Sequence, residues 1–152
     1  MSGDPHGQRV LVVDDDPAIV ELITTRLDLA GYRTFSARNG HQGISRITEV
    51  LPAVLVLDIN MPGLDGFEVL QRLGRSGHLS RLPTMVLTAR NRPEDVQRAI
   101  KLGARDYMAK PFNDQQFLMR IARLLRPRRM GPSPPMADQA EDGSAADGRV
   151  AL

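Results

Sequence analysis

The segment Arg9-Val-Leu-Val-Val-Asp-Asp-Asp-Pro17 carries three structural signals in succession. It starts with an apolar run that lacks the alternation of a half-exposed strand, which predicts a strand covered on both faces, as in a parallel sheet. Three carboxylates follow the run. Asp16 is a favourable N-cap, and Pro17 suits the first position of a helix. The segment therefore predicts a buried strand, an acidic loop and the start of a helix.

Four other segments predict strands. Ala53–Leu57 and Pro83–Leu87 are apolar throughout, which places them with the first strand at the centre of a sheet. Arg33–Ser36 and Arg105–Met108 are more polar and are expected at its flanks. The chain thus offers three central and two flanking strands.

The segments between the strands show helical periodicity. The first helix is expected to end at Gly31 and the fourth at Gly103, and Asn113 is a suitable N-cap for the fifth. Strands that alternate with helices imply right-handed crossovers and a doubly wound α/β fold with a five-stranded parallel sheet and five helices. The apolar positions that define the five helices are Ile19, Ile23 and Leu27; Ile44, Ile47 and Leu51; Phe67, Leu70 and Leu73; Val96 and Ile100; and Phe117, Leu118, Ile121, Leu124 and Leu125.

Length and composition exclude several classes of protein. A chain of 152 residues fits one domain. A net charge of +2 gives no overall electrostatic case for binding nucleic acid or a membrane surface, and the lack of cysteine excludes disulfides, thiol nucleophiles and thiolate metal sites. No apolar run approaches the roughly 20 residues of a membrane span, and no secretory leader is evident. We therefore expect a soluble cytoplasmic protein without membrane insertion.

Composition also predicts where the folded domain begins and ends. Residues 127–152 are rich in Pro, Gly, Ala, Asp and Ser and contain few large apolar side chains, so they cannot bury enough surface to offset the entropy of ordering. We expect a mobile N-terminus over residues 1–8, a folded domain over residues 9–126 and a disordered C-terminal tail over residues 127–152.

Polar side chains with complementary chemistry follow the predicted strands. The first strand ends in Asp14-Asp15-Asp16 and the third in Asp58-Ile-Asn60, while Thr88 and Lys110 follow the fourth and fifth. In this type of sheet, ligands bind beyond the carboxyl ends of the strands. At an effective dielectric constant of about 20, two carboxylates near 4 Å repel by roughly 4 kcal/mol, so the cluster needs a cation. Oxygen ligands without His or Cys favour Mg²⁺, which indicates phosphate chemistry with an Asp nucleophile.

Four motifs together resemble the receiver domain of two-component response regulators, a family that includes the chemotaxis motor regulator. The resemblance covers about residues 9 to 126 and implies a flavodoxin-like sheet in strand order 2-1-3-4-5. The motifs are Val12-Val-Asp-Asp-Asp-Pro17, Leu57-Asp-Ile-Asn-Met-Pro-Gly-Leu-Asp-Gly66, Leu87-Thr-Ala89 and Tyr107-Met-Ala-Lys-Pro-Phe112.

The resemblance implies a phosphorylation site with a metal beside it. Asp58 would accept the phosphoryl group from a sensor histidine kinase or a histidine phosphotransfer protein. Asp15 and Asp58 would contact Mg²⁺, Asp14 would act mainly through water, and Asn60 would offer its backbone carbonyl. Lys110 would pair with Asp58 or its phosphoryl oxygens. The protein would then be a phosphoacceptor that assists its own phosphorylation and dephosphorylation, rather than an enzyme.

The resemblance also implies a switch and an output surface. Thr88 would turn towards the phosphoryl group, and Tyr107 would enter the space that it vacates. The Lys110–Pro111 peptide bond is commonly cis in the family. Because the tail is too short and too poor in apolar residues for a DNA-binding output domain, output is expected through protein contact, without DNA, on the face formed by the fourth helix, fifth strand and fifth helix. Were the chain a truncated piece, the tail would instead be a linker to a missing effector.

The end of the fifth helix is rich in arginine. Arg126, Arg128 and Arg129 follow Arg120 and Arg123, and cations at a helix C-terminus are favourable by themselves. The alternative is an anion or nucleotide site, since arginine binds phosphate with two parallel hydrogen bonds. Some receiver-only proteins bind cyclic di-GMP through arginine-rich segments, so we retain this ligand as a hypothesis for Arg126, Arg128 and Arg129.

Two other functions are compatible with parts of the pattern. An aspartyl-phosphate phosphatase of the haloacid-dehalogenase type would use Asp58 as a nucleophile, but it would have a second Asp two positions later, where this chain has Asn60. A flavodoxin-like cofactor binder would have a glycine- and hydroxyl-rich first loop in place of three aspartates. Turnover of small phosphate esters would indicate the phosphatase, and a bound flavin would indicate the cofactor binder.

Overall fold

The computed structural model describes residues 7–126, which form five strands and five α-helices that alternate along the chain. The strands form one parallel sheet in the order β2-β1-β3-β4-β5, which confirms the predicted doubly wound fold. A short 3₁₀ helix at His78–Ser80 precedes β4. The elements are β1 Arg9–Val13, α1 Pro17–Leu29, β2 Arg33–Ala37, α2 Gly40–Val50, β3 Val54–Leu57, α3 Gly66–Arg75, β4 Thr84–Thr88, α4 Pro93–Lys101, β5 Asp106–Ala109 and α5 Asp114–Leu125.

The side chains of the central strands point alternately to two separate apolar cores. Leu11 and Val13 of β1 lie in the core covered by α2, α3 and α4, whereas Val10 and Val12 lie in the core covered by α1 and α5. The largest fully buried side chain is Phe67 in the first core and Phe117 in the second. Because both faces are covered, β1, β3 and β4 are buried almost along their whole length, as the apolar runs predict.

Strand register brings two acidic loops together. Val13, the last residue of β1, pairs with Leu57, the last residue of β3. Asp14 and Asp58 are the next residues of the two strands, so they leave neighbouring strands at the same level. Parallel pairing of β1 with β3 therefore brings the two aspartates together, although they are 44 positions apart in the chain.

Two apolar positions that define helices in the sequence lie on the outside of the protein. Leu51 is 65% exposed because α2 has ended and Leu51 caps it in a left-handed conformation with φ of 53°. Ile100 is 46% exposed because α4 buries Asp95 and Ala99 instead. The burial of Asp95 depends on an arginine ion pair, which apolar periodicity does not detect.

The predicted ends of the domain lie largely beyond the described residues. Residues 1–6 and the tail at 127–152 fall outside them, so the predicted mobility of these segments stays a prediction. Within the predicted N-terminal segment, the Gln8 carbonyl accepts a hydrogen bond from the Arg33 amide at 2.9 Å, which extends the pairing of β1 with β2. Between residues 7 and 126, no helix has both the length and the hydropathy that crossing a bilayer requires.

Candidate metal and phosphoacceptor site

Three carboxylates converge at the carboxyl end of the sheet. Asp14, Asp15 and Asp58 each place one carboxylate oxygen so that these atoms all lie within 4.8 Å of one another. Asp14 is 2% exposed and Asp58 is 6% exposed, whereas Asp15 faces solvent. The cluster therefore combines a buried floor with an open side through which a ligand can reach Asp58.

Hydrogen bonds fix the two buried carboxylates to the loops that carry them. The Asp58 amide donates to the Val13 carbonyl at 2.9 Å, and this bond continues the ladder between β1 and β3. One Asp14 oxygen accepts from the Asp16 amide at 3.0 Å, and one Asp58 oxygen accepts from the Asn60 amide at 3.3 Å. Each carboxylate keeps its second oxygen for other partners.

Lys110 supplies a positive charge to these second oxygens. Its Nζ donates to Asp14 Oδ2 at 2.7 Å and to Asp58 Oδ2 at 3.4 Å. Burial lowers the pKa of Lys110, but the hydrogen bond to Asp14 and the charges of both aspartates outweigh burial and raise it above its ordinary value. Lys110 therefore stays protonated and bridges the two carboxylates. The Lys110–Pro111 peptide bond is cis, as the family resemblance implies.

The buried carboxylates lack full compensation even with Lys110 present. Burial raises the pKa of Asp14, the nearby negative charge of Asp58 adds to this effect, and the Lys110 hydrogen bond counteracts it only in part. One ammonium thus faces three carboxylates, which leaves a local excess of negative charge. A cation that binds here would relieve this repulsion.

The donor set of this cluster fits Mg²⁺. All candidate ligands are carboxylate oxygens, with a backbone carbonyl available at Asn60, and this hard oxygen set suits Mg²⁺ better than a transition metal. The exposure of Asp15 also leaves room for the several waters that Mg²⁺ retains. The residues present are therefore compatible with the cofactor that the sequence predicts.

Thr88 and Tyr107 approach the site from β4 and β5. Thr88 is fully buried, its carbonyl accepts from the Lys110 amide at 2.9 Å, and its hydroxyl accepts from the Arg90 amide at 3.4 Å. The Tyr107 hydroxyl donates to the Arg90 carbonyl at 2.6 Å. Burial raises the pKa of Tyr107, so the phenol is protonated at neutral pH and serves as the donor. Both predicted switch residues thus contact the backbone of Arg90.

A close contact with α3 supports the loop after Asp58. A Cβ atom added at Gly66 would lie 2.4 Å from the Asp58 carbonyl oxygen and 2.7 Å from the Ile59 Cα. No real Cβ is this close to backbone, so the loop can pack on the start of α3 only with glycine at this position. Asp65 and Glu68 form a reciprocal capping box that fixes the same end of the helix. The start of α3 therefore determines the position of the Asp58 backbone.

Sequence reasoning missed a charged network at the mouth of the site. Arg90 donates through Nε and Nη2 to the two oxygens of Asp95, at 3.2 and 3.0 Å, and through Nη1 to Asn60 Oδ1 at 3.3 Å. Asp95 is buried although it belongs to the first turn of α4. An arginine five residues before an aspartate is the only sequence signal for this pair, and such spacing is too common to identify it.

The structure covers only part of the predicted arginine cluster. Arg126 is exposed at the C-cap of α5, whereas Arg128 and Arg129 lie outside the described residues. Arg120 is held within the fold, because its Nη1 donates to Asp106 Oδ1 at 3.0 Å and to the Tyr107 carbonyl at 3.2 Å. An anion site at this end of α5 therefore stays a prediction.

Comparison with known proteins gives consistent matches over the described region. The family model for the response regulator receiver domain matches residues 10–122. The DNA-binding dual master transcriptional regulator RpaA of Synechocystis is 38% identical over 118 residues, which are 78% of this chain and 49% of that protein. The transcriptional regulatory protein TrcR of Mycobacterium tuberculosis is 41% identical over 118 residues, with 78% and 45% covered. The chain thus spans about half the length of these curated relatives.

Solved structures match over nearly their full length. The chemotaxis protein CheY4 of Vibrio cholerae superimposes with a TM-score of 0.74 at 29% sequence identity. The match covers 78% of this chain and 99% of that one. The similarity to this chemotaxis protein therefore extends over the whole sheet and its helices.

Proposed function

Since the chain belongs to the response regulator receiver domain family of two-component systems, we propose that its Asp58 carboxylate is the phosphoacceptor of a signalling switch. The observation that supports this assignment best is the triad of Asp14, Asp58 and Lys110, in which one ammonium bridges two buried carboxylates that follow neighbouring strands. Asp58 begins the loop that packs on Gly66, and one of its oxygens accepts from the Asn60 amide, so a group attached to Asp58 would lie beside this loop.

In the proposed reaction, a carboxylate oxygen of Asp58 attacks the phosphorus of a phosphohistidine on a sensor histidine kinase or a phosphotransfer protein. A P–O bond forms as the P–N bond breaks, and the imidazole nitrogen leaves with the electron pair and takes up a proton. The product on this chain is an acyl phosphate. Lys110 makes a shorter hydrogen bond to Asp14 than to Asp58. Because the bond to Asp58 is long, the ammonium can shift from it to an oxygen of the added phosphoryl group and stabilise the negative charge there.

Asp15, Asp58 and the Asn60 carbonyl are the groups that would hold Mg²⁺, with Asp14 acting through water. When bound, Mg²⁺ supplies positive charge that offsets the repulsion between an incoming phosphoryl group and the carboxylates. The residues of the chain orient the reacting groups. Buried Asp14 orients Lys110, and the Asn60 amide holds one Asp58 oxygen. The other Asp58 oxygen, which accepts the 3.4 Å hydrogen bond from Lys110, would be the attacking atom.

We also propose that Thr88 and Tyr107 transmit the change to the face formed by α4, β5 and α5. Within residues 7–126, the one hydrogen bond of the Thr88 hydroxyl is to the Arg90 amide, at the long distance of 3.4 Å, so the hydroxyl can move to a phosphoryl oxygen at little cost. Tyr107 reaches the same loop from β5. A downstream protein would bind this face, and the cytoplasm is the compartment in which kinase and target would meet.

Two further parts of the proposal concern activity and DNA. The chain would act as a phosphoacceptor and not as a phosphatase, because Asn60 occupies the position where the phosphatase pattern requires an acid. DNA binding is in the name of one relative, of which this chain covers only about half. We therefore propose that the domain over residues 7–126 signals by contact with another protein and does not itself bind DNA.

The test is labelling with a small phosphodonor such as acetyl phosphate in the presence of Mg²⁺. Asp58→Asn should abolish incorporation, because an amide cannot form the acyl phosphate. Asp28→Asn is the matched control, since Asp28 is an exposed aspartate on α1 whose side chain accepts a hydrogen bond from Thr34. Undiminished labelling of Asp58→Asn would place the phosphoryl group on another residue and overturn the proposal.

A further inference from the structure

Arg90 contacts both predicted switch residues and two further elements beside the site. Its amide donates to the Thr88 hydroxyl and its carbonyl accepts from the Tyr107 hydroxyl. Its guanidinium binds Asp95 in the first turn of α4 and Asn60 in the loop after Asp58. Backbone and side chain of one residue thus join four elements of the site.

The Arg90 side chain is anchored on three sides. Two parallel hydrogen bonds to Asp95 use both oxygens of a buried carboxylate, and a third goes to the Asn60 amide oxygen. The guanidinium carbon also lies 5.5 Å from the centre of the Phe67 ring, within the range of a cation–π contact. Arginine suits this position because its planar fork fixes orientation as well as distance, which lysine cannot do.

Anchoring the side chain restrains the backbone to which it is attached. The Arg90 carbonyl lies in the loop between β4 and α4, where no ladder partner holds it, and it is the acceptor for Tyr107. We propose that Arg90 is a positioning residue, whose side-chain contacts with Asp95 and Asn60 hold its carbonyl where the Tyr107 hydroxyl can dock.

This inference goes beyond phosphorylation itself, although its meaning for signalling rests on the proposed function. Tyr107 docks on a carbonyl whose position depends on Asn60, which is two residues from Asp58. A change at Asp58 can therefore reach Tyr107 through side chains, in addition to any movement of Thr88. Asn60, Arg90 and Tyr107 form a contiguous physical connection between the loop after β3 and strand β5.

A double-mutant cycle tests this connection, because within residues 7–126 the Arg90 side chain makes no hydrogen bond to the Tyr107 hydroxyl, whereas the Arg90 carbonyl accepts one. Tyr107→Phe should lower the folding equilibrium constant about fivefold in the unaltered chain, the typical effect of one hydrogen bond. In the Arg90→Ala protein, Tyr107→Phe should lower the folding equilibrium constant less than about twofold, because the carbonyl that accepts from Tyr107 is no longer held in position. Urea unfolding of all four proteins measures these constants.

Arg92→Ala is the matched control, because Arg92 is an exposed arginine in the same loop whose side chain makes no capping hydrogen bond to α4. It should leave the cost of Tyr107→Phe unchanged. Asp95→Asn removes the other half of the anchor and should reproduce the effect of Arg90→Ala, so a failure of one variant to fold does not prevent the test.

A spectroscopic measurement separates positioning from general loss of stability. The chain has two tyrosines, so Tyr32→Phe leaves Tyr107 as the single tyrosine signal in carbon-13-labelled protein. Arg90→Ala should shift the Tyr107 ring-carbon resonance nearest the hydroxyl towards that of free tyrosine, and Arg92→Ala should not. An unchanged resonance together with an unchanged cost of Tyr107→Phe in Arg90→Ala would overturn the inference. These measurements use no phosphodonor, so their failure would leave phosphorylation of Asp58 unaffected, and failure of labelling would leave them valid.

Discussion

The positive charge of Lys110 offsets the negative charges of the site, so removing Lys110 measures how strongly the carboxylates repel one another. The ammonium is close to two buried carboxylates, and no second cation contacts Asp14 or Asp58 among the side chains of residues 7–126. Lys101 is the other lysine of the chain and is exposed on α4. The two lysines therefore provide an internal comparison.

Lys110→Ala should lower the free energy of unfolding by about 2 kcal/mol in the absence of divalent cations, the scale of a hydrogen-bonded charge partner. Millimolar Mg²⁺ should restore part of this loss, because the metal replaces the missing positive charge. Lys101→Ala should change stability by less than about 0.5 kcal/mol. Urea denaturation with and without Mg²⁺ checks both variants. If Mg²⁺ did not change the free energy of unfolding that Lys110→Ala loses, the role of Lys110 in balancing the carboxylate charges would be contradicted.

The individual residues of the site differ in how well the sequence reveals them. The proximity of Asp14, Asp58 and Lys110 could be predicted, because all three follow strands of a parallel sheet and such ends meet at one edge. Asp95 could not be predicted in this way. Asp95 is buried because Arg90 folds back over the first turn of α4 and pairs with it. A pair of this kind does not change the spacing of apolar residues, so the sequence pattern does not indicate it.

At the scale of elements, α3 controls the loop that carries Asp58. The helix contains glycines at both ends, Gly66 against the loop and Gly74 near the C-terminus. A Cβ at Gly74 would meet its nearest neighbours at 3.8 and 3.9 Å, which are ordinary contacts, whereas a Cβ at Gly66 would overlap the backbone of Asp58 and Ile59. The same substitution therefore has opposite expected effects at the two positions.

Gly66→Ala should destabilise the protein by about 2 kcal/mol or more, because the loop must shift to admit the methyl group. It should also weaken Mg²⁺ binding, since Asp58 moves with the loop. Gly74→Ala should be neutral or stabilising by up to about 0.5 kcal/mol, because alanine is favoured in helices. Thermal unfolding with and without Mg²⁺ measures both, and equal behaviour of the two variants would show that the loop does not pack as described.

The sequence predicted the bounds of the strands more accurately than it predicted which side of each helix is exposed. Observed strand bounds differ from the predicted ones by one residue at most, because apolar runs flanked by polar residues mark a buried strand clearly. The buried side of α4 was predicted wrongly at Ile100, since an ion pair competes there with apolar burial. Periodicity predicts burial well only where the buried face is apolar.

At the scale of the whole molecule, the two cores determine which part of the chain stabilises the fold. Among residues 7–126, their apolar members extend from Val10 to Leu125, and α5 is the last element that contributes to them. Ile121 is fully buried on this helix, and Leu124 and Leu125 pack against the same core. The composition of residues 127–152, with few large apolar side chains, predicts that this segment contributes little to either core.

A chain shortened to residues 1–126 should therefore melt within about 2 °C of the full chain. A chain shortened to residues 1–120 is the control, and it should melt far lower or fail to fold, because it lacks Ile121, Leu124 and Leu125. Calorimetry of the three lengths makes the comparison. If removal of residues 127–152 alone lowered the melting temperature by about 5 °C or more, the tail would have to pack on the domain.

The central claim is that a carboxylate at position 58, within a cluster that needs a divalent cation, receives a phosphoryl group. Borohydride reduces an aspartyl phosphate to homoserine, which marks the acceptor residue permanently. After treatment with acetyl phosphate and borohydride, we expect mass spectrometry to locate homoserine at position 58 when Mg²⁺ is present and to find none when Mg²⁺ is chelated. Homoserine at another aspartate, or its formation at position 58 regardless of Mg²⁺, would contradict the account.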